Sequence, residues 1–291
     1  MNSSTRAGLA SDLPPTLWAR GARGRLAYSF YAARKPWLNV VISHGLGEHR
    51  GWWHHVAETL RRRGINTLTF DHYHHGKSDG VPGDVPNYDV LSDGLKLALA
   101  KGMEPRRRRL PVVLLAHSNG ALVALRTLPA IRGRLAGLAL CSPLLGLPAF
   151  TLATGWPLAW LLALRNPRSF WPLKPRPWRV TRDRSIWPHY VADPLRLNRI
   201  SARFFLAMAR ETRAVSRRSS CYGLPLVLFS AGQDVVVSRA AMERWFSRVQ
   251  TRDKQRVHFP RARHEVFNDL GWAKAVELLT RWLAARWRRR T

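Results

Sequence analysis

The sequence predicts an α/β fold: a mostly parallel central sheet flanked by helices, with a helical cap inserted into it. Three observations carry this reading. Apolar runs of strand length alternate with amphipathic runs of helical length. The strand-like runs are apolar throughout rather than every second residue, as in strands covered on both faces. The rhythm breaks over residues 144–222 and then resumes. The expected organisation is therefore one core made of 1–143 and 223–291, with 144–222 as a cap or lid over the carboxyl ends of the strands, where open α/β sheets place their sites. A chain of 291 residues, 46% of them apolar, is long enough to bury such a core.

The elements follow in order. WLNVVISHG (37–45) is β-branched and apolar and stops at glycine. WWHHVAETLRRRG (52–64) sets Trp52, Trp53, Val56 and Leu60 at helical spacing and closes on Gly64. INTLTFD (65–71) is a strand ending in Asp71; NYDVLSDGLKLALAKG (87–102) is a helix. LPVVLLAHS (110–118), NGALVALRTLPAI (119–131) and LAGLALCSP (135–143) give strand, helix, strand. The insertion is rich in Pro, Trp and Arg, with a helical stretch at 193–215. LPLVLFSAG (224–232), SRAAMERWFSRVQ (238–250), KQRVHFP (254–260) and GWAKAVELLTRWLAARW (271–287) then restore strand, helix, strand, helix.

Composition narrows the function. Lys and Arg number 48 against 18 Asp and Glu, a formal +30, with blocks at 61–63, 106–109 and 286–290. Such a field attracts anionic membranes, nucleic acid or acidic proteins. The arginines are spread over every segment and no nucleic-acid module is present, so no specific nucleic-acid partner is expected. The 24 residues from Cys141 to Leu164 carry no charge, enough to span a bilayer. Pro143, Pro148 and Pro157 interrupt them, so a strand end followed by a short apolar helix is the expectation, either buried or facing lipid. Two cysteines, Cys141 and Cys221, form no disulfide framework or zinc pattern, and the first residues lack the apolar core of a secretion signal. The expected location is cytoplasmic, with peripheral contact to an anionic membrane as a charge-based extension.

Ser118 is the candidate nucleophile. It lies where an apolar strand runs straight into a helix, with Ala116 and Gly120 two residues away on either side. A turn this tight needs small residues at those positions, and it thrusts the serine hydroxyl into the open at a helix N-terminus. The hydroxyl needs a base, and the base needs an acid to hold it. After such a turn the partners follow in the order acid, then histidine, each beyond a later strand. Asp234 follows LPLVLFS and His264 follows RVHF, so the expected triad is Ser118, Asp234 and His264. The oxyanion would be met by the Asn119 N–H and by one from the loop at 43–53, with Leu46 between Gly45 and Gly47 the choice.

Other titratable groups read as bystanders. His258 lies within a strand, Asp253 and Asp269 are expected as surface charges, and Glu265 is expected to point away from the site if His264 points in. His72, His74 and His75 look like a structural loop rather than a metal cluster, and His54 and His55 like solvated residues at a helix start. No Gly-rich phosphate loop is present, so no cofactor is implied.

Taken together, HGLGEH (44–49), DHYHHGKSDG (71–80), AHSNGA (116–121), SPLLGL (142–147), YVADPLRLNRIS (190–201), AGQDVVV (231–237) and ARHEVFND (262–269) resemble the α/β-hydrolase superfamily. Within it they are similar to the monoacylglycerol lipase/lysophospholipase group, also called serine aminopeptidase S33-like hydrolases. The resemblance runs from about residue 20 to 287. It implies the α/β-hydrolase fold, the same triad and oxyanion donors, no cofactor, and a lipid-like ester of a single acyl chain as substrate. Small-ester or thioester hydrolysis, acyl transfer, and a non-catalytic scaffold on anionic surfaces are the alternatives; oligomeric state is left open. Tyr73 and His74 depart from the usual residues of the 71–80 loop, and Ala116 stands for the usual glycine. Asn119 and Ala121 replace the usual Met and Gly and are expected to alter the pocket floor. The insertion holds five of the 13 tryptophans (Trp156, Trp160, Trp171, Trp178 and Trp187), which suits a lipid interface as well as plain packing.

Overall fold

A computed structural model describes residues 13–102, 110–173, 176–219, 221 and 223–288. The arginine block at 106–109 and residues 289–290 of the last basic block lie outside the described residues.

Eight strands form one sheet: β1 Leu17–Gly21, β2 Gly24–Tyr31, β3 Leu38–Ser43, β4 Ile65–Phe70, β5 Val112–His117, β6 Gly137–Cys141, β9 Leu226–Ala231 and β10 Lys254–Phe259. Their order is β1-β2-β4-β3-β5-β6-β9-β10. From β4 to β10 every neighbouring pair is parallel, and only β1 and β2 join antiparallel. All residues of β3, β4, β5, β6 and β9 are buried, which is why they read as unbroken apolar runs.

Alternation along those strands feeds two cores. Val41, Leu114, Leu140 and Leu228 face one side, with helices α2 (Tyr88–Gly102) and α3 (Ser118–Ile131). Val40, Leu115, Ala139 and Phe229 face the other, with α1 (His54–Arg62) and α9 (Trp272–Trp287). Each such leucine or phenylalanine gains roughly 1.5–3 kcal/mol by leaving water, so both faces are firmly covered. Helix α8 (Arg239–Arg248) connects β9 to β10.

Among the described residues, the chain between β6 and β9 adds no strand to the large sheet. It forms α4 (Ala149–Arg165), a two-stranded ribbon of β7 (Phe170–Pro172) and β8 (Arg199–Ser201), the short helices α5 (Pro177–Val180) and α6 (Trp187–Ala192), and α7 (Ala202–Ser216). Helix α4 crosses α7 closely at Gly155, where an added Cβ would come within 2.9 Å of the Phe205 ring. Among the described residues no helix is long and apolar enough to cross a membrane.

Two elements differ from the sequence reading. The β1–β2 hairpin was not expected, because β1 is a largely exposed edge strand and Arg25 and Ser29 interrupt the apolar residues of β2. The helix expected over 193–215 starts only at Ala202. Residues before it make a turn and β8, and the Ser201 hydroxyl caps the helix by accepting the Phe204 N–H at 3.3 Å.

Candidate active site

Strand β5 passes into α3 at Ser118, whose φ of +49° lies in the left-handed region that L-residues avoid. The turn survives because its neighbours leave room. An added Cβ on Gly120 would stand 2.4 Å from the carbonyl oxygens of both Ser43 and His44. On Gly45 it would stand 2.9 Å from the His117 ring and 3.2 Å from the Ser118 Cβ. Ala116 fits its place in the sheet, fully buried beside Ser43 and Leu140.

Ser118, His264 and Asp234 form one hydrogen-bonded chain. The His264 Nε2 lies 2.9 Å from the Ser118 Oγ, and its Nδ1 lies 2.8 Å from Asp234 Oδ2. A carboxylate accepts only, so Nδ1 carries the proton and Nε2 is free to accept from the serine hydroxyl. Burial pushes the Asp234 carboxyl up, but His264 and the N–H groups of Val236 and Val237 outweigh it and hold the acid below its usual range. The loops after β9 and β10 are stitched together: Gly232 N–H donates to Phe259 O and Gln233 N–H to Ala262 O, each at 2.9 Å. Gly232 packs so tightly on Pro260 that a Cβ would sit 2.2 Å from its carbonyl oxygen.

The loop bearing Leu46 begins where β3 ends. Gly47 has φ +80°, and the Glu48 carboxylate folds back to accept the Gly45 N–H at 3.1 Å. That carboxylate also accepts the Trp53 Nε1–H at 2.9 Å and pairs with His117 at 3.2 Å. Burial opposes charge on both partners, yet their mutual attraction keeps Glu48 below the usual carboxylate range and His117 well above the usual imidazole range. Further along, the fully buried Asp71 accepts the Arg50 N–H at 2.7 Å and pairs with its guanidinium at 2.6 Å.

A cavity of about 800 Å³ opens above Ser118. Leu46, Ser118 and His264 line its floor, and Leu158, Trp171, Phe205 and Met208 of the insertion line it from the other side. One corner is polar and holds Glu48, Tyr190, Asp193, Arg196 and Glu265. Lined this way, the site can accept an apolar chain and present a carbonyl to a serine–histidine–carboxylate chain.

Several bystanders stand elsewhere than expected. Asp269 is fully buried, not a surface charge: it accepts the Arg263 and Leu270 N–H groups at 2.7 Å and pairs with Arg182 at 3.0 Å, bracing the His264 loop. Glu265 is buried on the cavity wall and does not point away. It sits in a turn, where adjacent side chains need not oppose each other, and it faces the Arg196 guanidinium at 3.9 Å. Burial, then the nearby Glu48, raises its pKa above the ordinary value. Asn119 turns its amide oxygen to the Tyr88 hydroxyl, and Ala121 is buried in the core, so neither side chain forms the cavity floor. His55 is packed rather than solvated, against Phe267 O at 2.8 Å and edge-on to Trp272. Asp253 is half-buried and paired with Arg286, and His258 meets the Ser230 hydroxyl at 3.0 Å.

His44, His72 and His75 gather beneath the Leu46 loop, with ring centroids 4.7–6.1 Å apart. Burial lowers all three pKa values, that of His75 to about 3. His44 Nε2 accepts the His72 N–H at 3.0 Å, so this group braces the loop as neutral rings. Among the described residues no three His, Cys, Asp or Glu side chains are placed to hold a metal ion.

Glu48, Arg196 and Glu265 had no assigned role in the sequence reading. Glu48 stands inside HGLGEH and Arg196 inside YVADPLRLNRIS, but their charged partners His117 and Glu265 lie about 70 positions away and leave no local spacing to read.

Residues 34–271 match the family model described as serine aminopeptidase, S33. The chain is 25% identical over 248 residues to the phospholipase YtpA of Bacillus subtilis, covering 82% of this chain and 92% of that one. It is 23% identical over 256 residues to a monoacylglycerol lipase of Mycolicibacterium smegmatis, covering 84% and 88%. An uncharacterized abhydrolase domain-containing protein of Dictyostelium discoideum is 27% identical over 256 residues; the match takes in 87% of this chain but only 27% of that longer protein. Among solved structures, a soluble variant of monoglyceride lipase from Saccharomyces cerevisiae superposes with a TM-score of 0.86 at 18% identity, covering 96% of this chain and 97% of that one.

Proposed function

The chain belongs to the serine aminopeptidase S33 family and is a carboxylic ester hydrolase of the lipase and esterase type, and from this premise we propose that it cleaves esters of single acyl chains through an acyl-enzyme on Ser118. Monoacylglycerol or lysophospholipid is the substrate class. The observation that carries the mechanism is the chain Asp234–His264–Ser118, with its 2.8 and 2.9 Å contacts, opening into an apolar cavity.

The Ser118 Oγ attacks the ester carbonyl as His264 Nε2 takes its proton. Asp234, holding Nδ1–H, stabilises the imidazolium that results. The N–H groups of Leu46 and Asn119 receive the oxyanion, the latter at the N-terminus of α3 where the helix dipole favours negative charge. When the intermediate collapses, His264 hands its proton to the departing alcohol and the acyl group stays on Ser118. Water, deprotonated by His264, then attacks the acyl carbonyl and releases the fatty acid. The cycle needs no cofactor.

The insertion at 144–222 acts as the cap in this reading. On its α4 helix Trp160, Leu161 and Leu164 are 56–63% exposed, and Trp178 is exposed as well. Trp171, by contrast, lines the cavity and Trp187 packs edge-on against Trp178. The exposed apolar face and the formal +30 charge support a peripheral seat on an anionic membrane, from which single-chain lipids reach the cavity.

The test is a fluorophosphonate probe read by intact mass, wild type beside Ser118→Ala, followed by turnover of monoacylglycerols and lysophospholipids. One adduct on the wild type, none on the variant, and a loss of about 10⁴-fold or more in turnover are expected. Turnover retained by Ser118→Ala would overturn the mechanism. Full labelling with release only to an alcohol acceptor would replace hydrolysis by acyl transfer.

A further inference from the structure

Among the described residues the segment from Gly45 to Trp53 has no strand partner, yet the proposed mechanism asks the Leu46 N–H to be in place before the oxyanion forms. Glycines at 45, 47 and 51 make this loop pliant, with φ +80° at Gly47. Preorganisation therefore has to come from side chains that hold the loop, from within it and from outside. Glu48 folds back beneath it, and Asp71 holds Arg50 from the end of β4. The third hold comes from the insertion. Asp193, in the turn after α6, accepts both the His49 Nε2–H and the Trp52 Nε1–H on Oδ2, each at 2.7 Å. Its other oxygen accepts the Leu195 N–H at 2.9 Å, which fixes the carboxylate plane. Four residues on, the Leu197 N–H donates to Gly47 O at 3.2 Å, beside Leu46 itself.

The partners are equally fixed. The Gly51 N–H donates to His49 Nδ1 at 3.1 Å, so the imidazole carries its proton on Nε2 and aims it at Asp193. The Trp52 ring lies edge-on to Tyr190 at 5.5 Å, and the Arg196 guanidinium lies over both rings, at 4.8 and 3.5 Å. Burial pushes the Asp193 acid up, but His49, the Leu195 N–H and Trp52 bring it down to about 2. It is a carboxylate at any practical assay pH.

We propose that Asp193 is a positioning residue: it ties the insertion to the loop carrying Leu46 and so sets the oxyanion donor before substrate binds. This rests on the acyl-enzyme reading of the site. It makes the insertion part of the catalytic geometry as well as a cover, and it couples any movement of residues 193–197 to the oxyanion donor.

The test compares wild type, Asp193→Ala and Trp52→Phe on a short p-nitrophenyl ester and on a monoacylglycerol. Affinity for an alkyl trifluoromethyl ketone, whose tetrahedral adduct places an oxyanion in the same hole, is measured alongside. One well-placed oxyanion donor is worth about 10²–10³ in kcat; loosening it should lose a part of that. Asp193→Ala is expected to lower kcat about ten-fold or more on both esters, with KM within about two-fold, and to weaken the ketone in step. Trp52→Phe removes one N–H and keeps a ring, and it should show the same pattern at about two- to four-fold, which keeps the test open if Asp193→Ala folds poorly. An unchanged kcat in both variants overturns the proposal. So does a rise in KM confined to the monoacylglycerol, which would make Asp193 a head-group contact, or a fall in kcat without weaker ketone binding. Ser118→Ala runs in parallel: activity there would sink the acyl-enzyme reading itself, whereas an inert Ser118→Ala beside a fully active Asp193→Ala sinks only this inference.

Discussion

The floor and the roof of the cavity are built by opposite means. The floor is backbone geometry: strands buried along their whole length end together, and their loops touch at distances that leave no space for a methyl group. The roof is side-chain surface, where α4 buries Ala159 and crosses α7 through Gly155 while leaving Trp160, Leu161 and Leu164 in water. A floor of this kind tolerates almost no change and so fixes where a carbonyl can sit. A roof of this kind tolerates substitution and can adapt to what lies above it.

The largest effect expected from this contrast is at Gly120. Its Cβ would press on two backbone carbonyls at 2.4 Å, and neither Ser43 nor His44 can move without dragging the Leu46 loop. Overpacking of this sort costs about 1–3 kcal/mol or more, so Gly120→Ala should lower the thermal midpoint by roughly 2–5 °C or more and reduce kcat more than about ten-fold. Gly133 is the control, since no atom of the described residues would lie within 4 Å of a Cβ added there. Gly133→Ala should leave stability within about 0.5 kcal/mol. Calorimetry and steady-state kinetics on the two variants read both effects, and equal behaviour would break the contrast.

The roof should answer differently. Replacing Trp160 and Leu164 by alanine removes exposed apolar area and little packing, so the thermal midpoint should move by no more than about 2 °C. Sedimentation with anionic vesicles should show partitioning reduced roughly ten-fold, while turnover of a soluble ester stays near wild type. Raising salt should weaken wild-type partitioning, because exposed charges are screened beyond about 8–10 Å at 0.1–0.15 M. Partitioning that neither substitution nor salt alters would leave the apolar face of α4 without a lipid role.

The same division decides what could be read from the sequence. Strands β3 to β6, β9 and β10, the tight turn at Ser118 and the loops of Asp234 and His264 were legible, because backbone constraints write themselves locally as apolar runs, small residues and strand ends. Side-chain partnerships are not local. Asp269 looked like a surface charge because its partner Arg182 lies 87 positions away, and Asn119 looked like pocket floor because Tyr88, 31 positions earlier, could not be placed against it. The insertion was recognisable as a break in rhythm. Its link to the oxyanion loop joins Asp193 to His49 across 144 positions, and no spacing rule reaches that far.

The smallest expected effect separates the two carboxylates around His264, one belonging to the floor and one turned toward the roof. Asp234 is held below its usual pKa by His264 and two backbone N–H groups, which outweigh burial. It therefore adds stability that is present above the unfolded carboxylate value and lost as pH falls through its folded value. Glu265 has the opposite sign, because burial and the Glu48 charge raise it. Below the unfolded glutamate value, about 4.3, both states are protonated and it contributes nothing. As pH rises past that value the unfolded chain ionises first, so stability declines until the folded pKa is passed. Glu265→Gln removes this decline while keeping the side chain's size beside Arg196. Urea midpoints from pH 4 to 8 should match wild type at the acid end and exceed it increasingly toward neutrality, with kcat changed by less than about three-fold. A midpoint difference that stays constant across pH would mean that Glu265 ionises in the fold as readily as in the unfolded chain. The Arg196 guanidinium, reaching down from the insertion, would then dominate the polar corner over burial and Glu48.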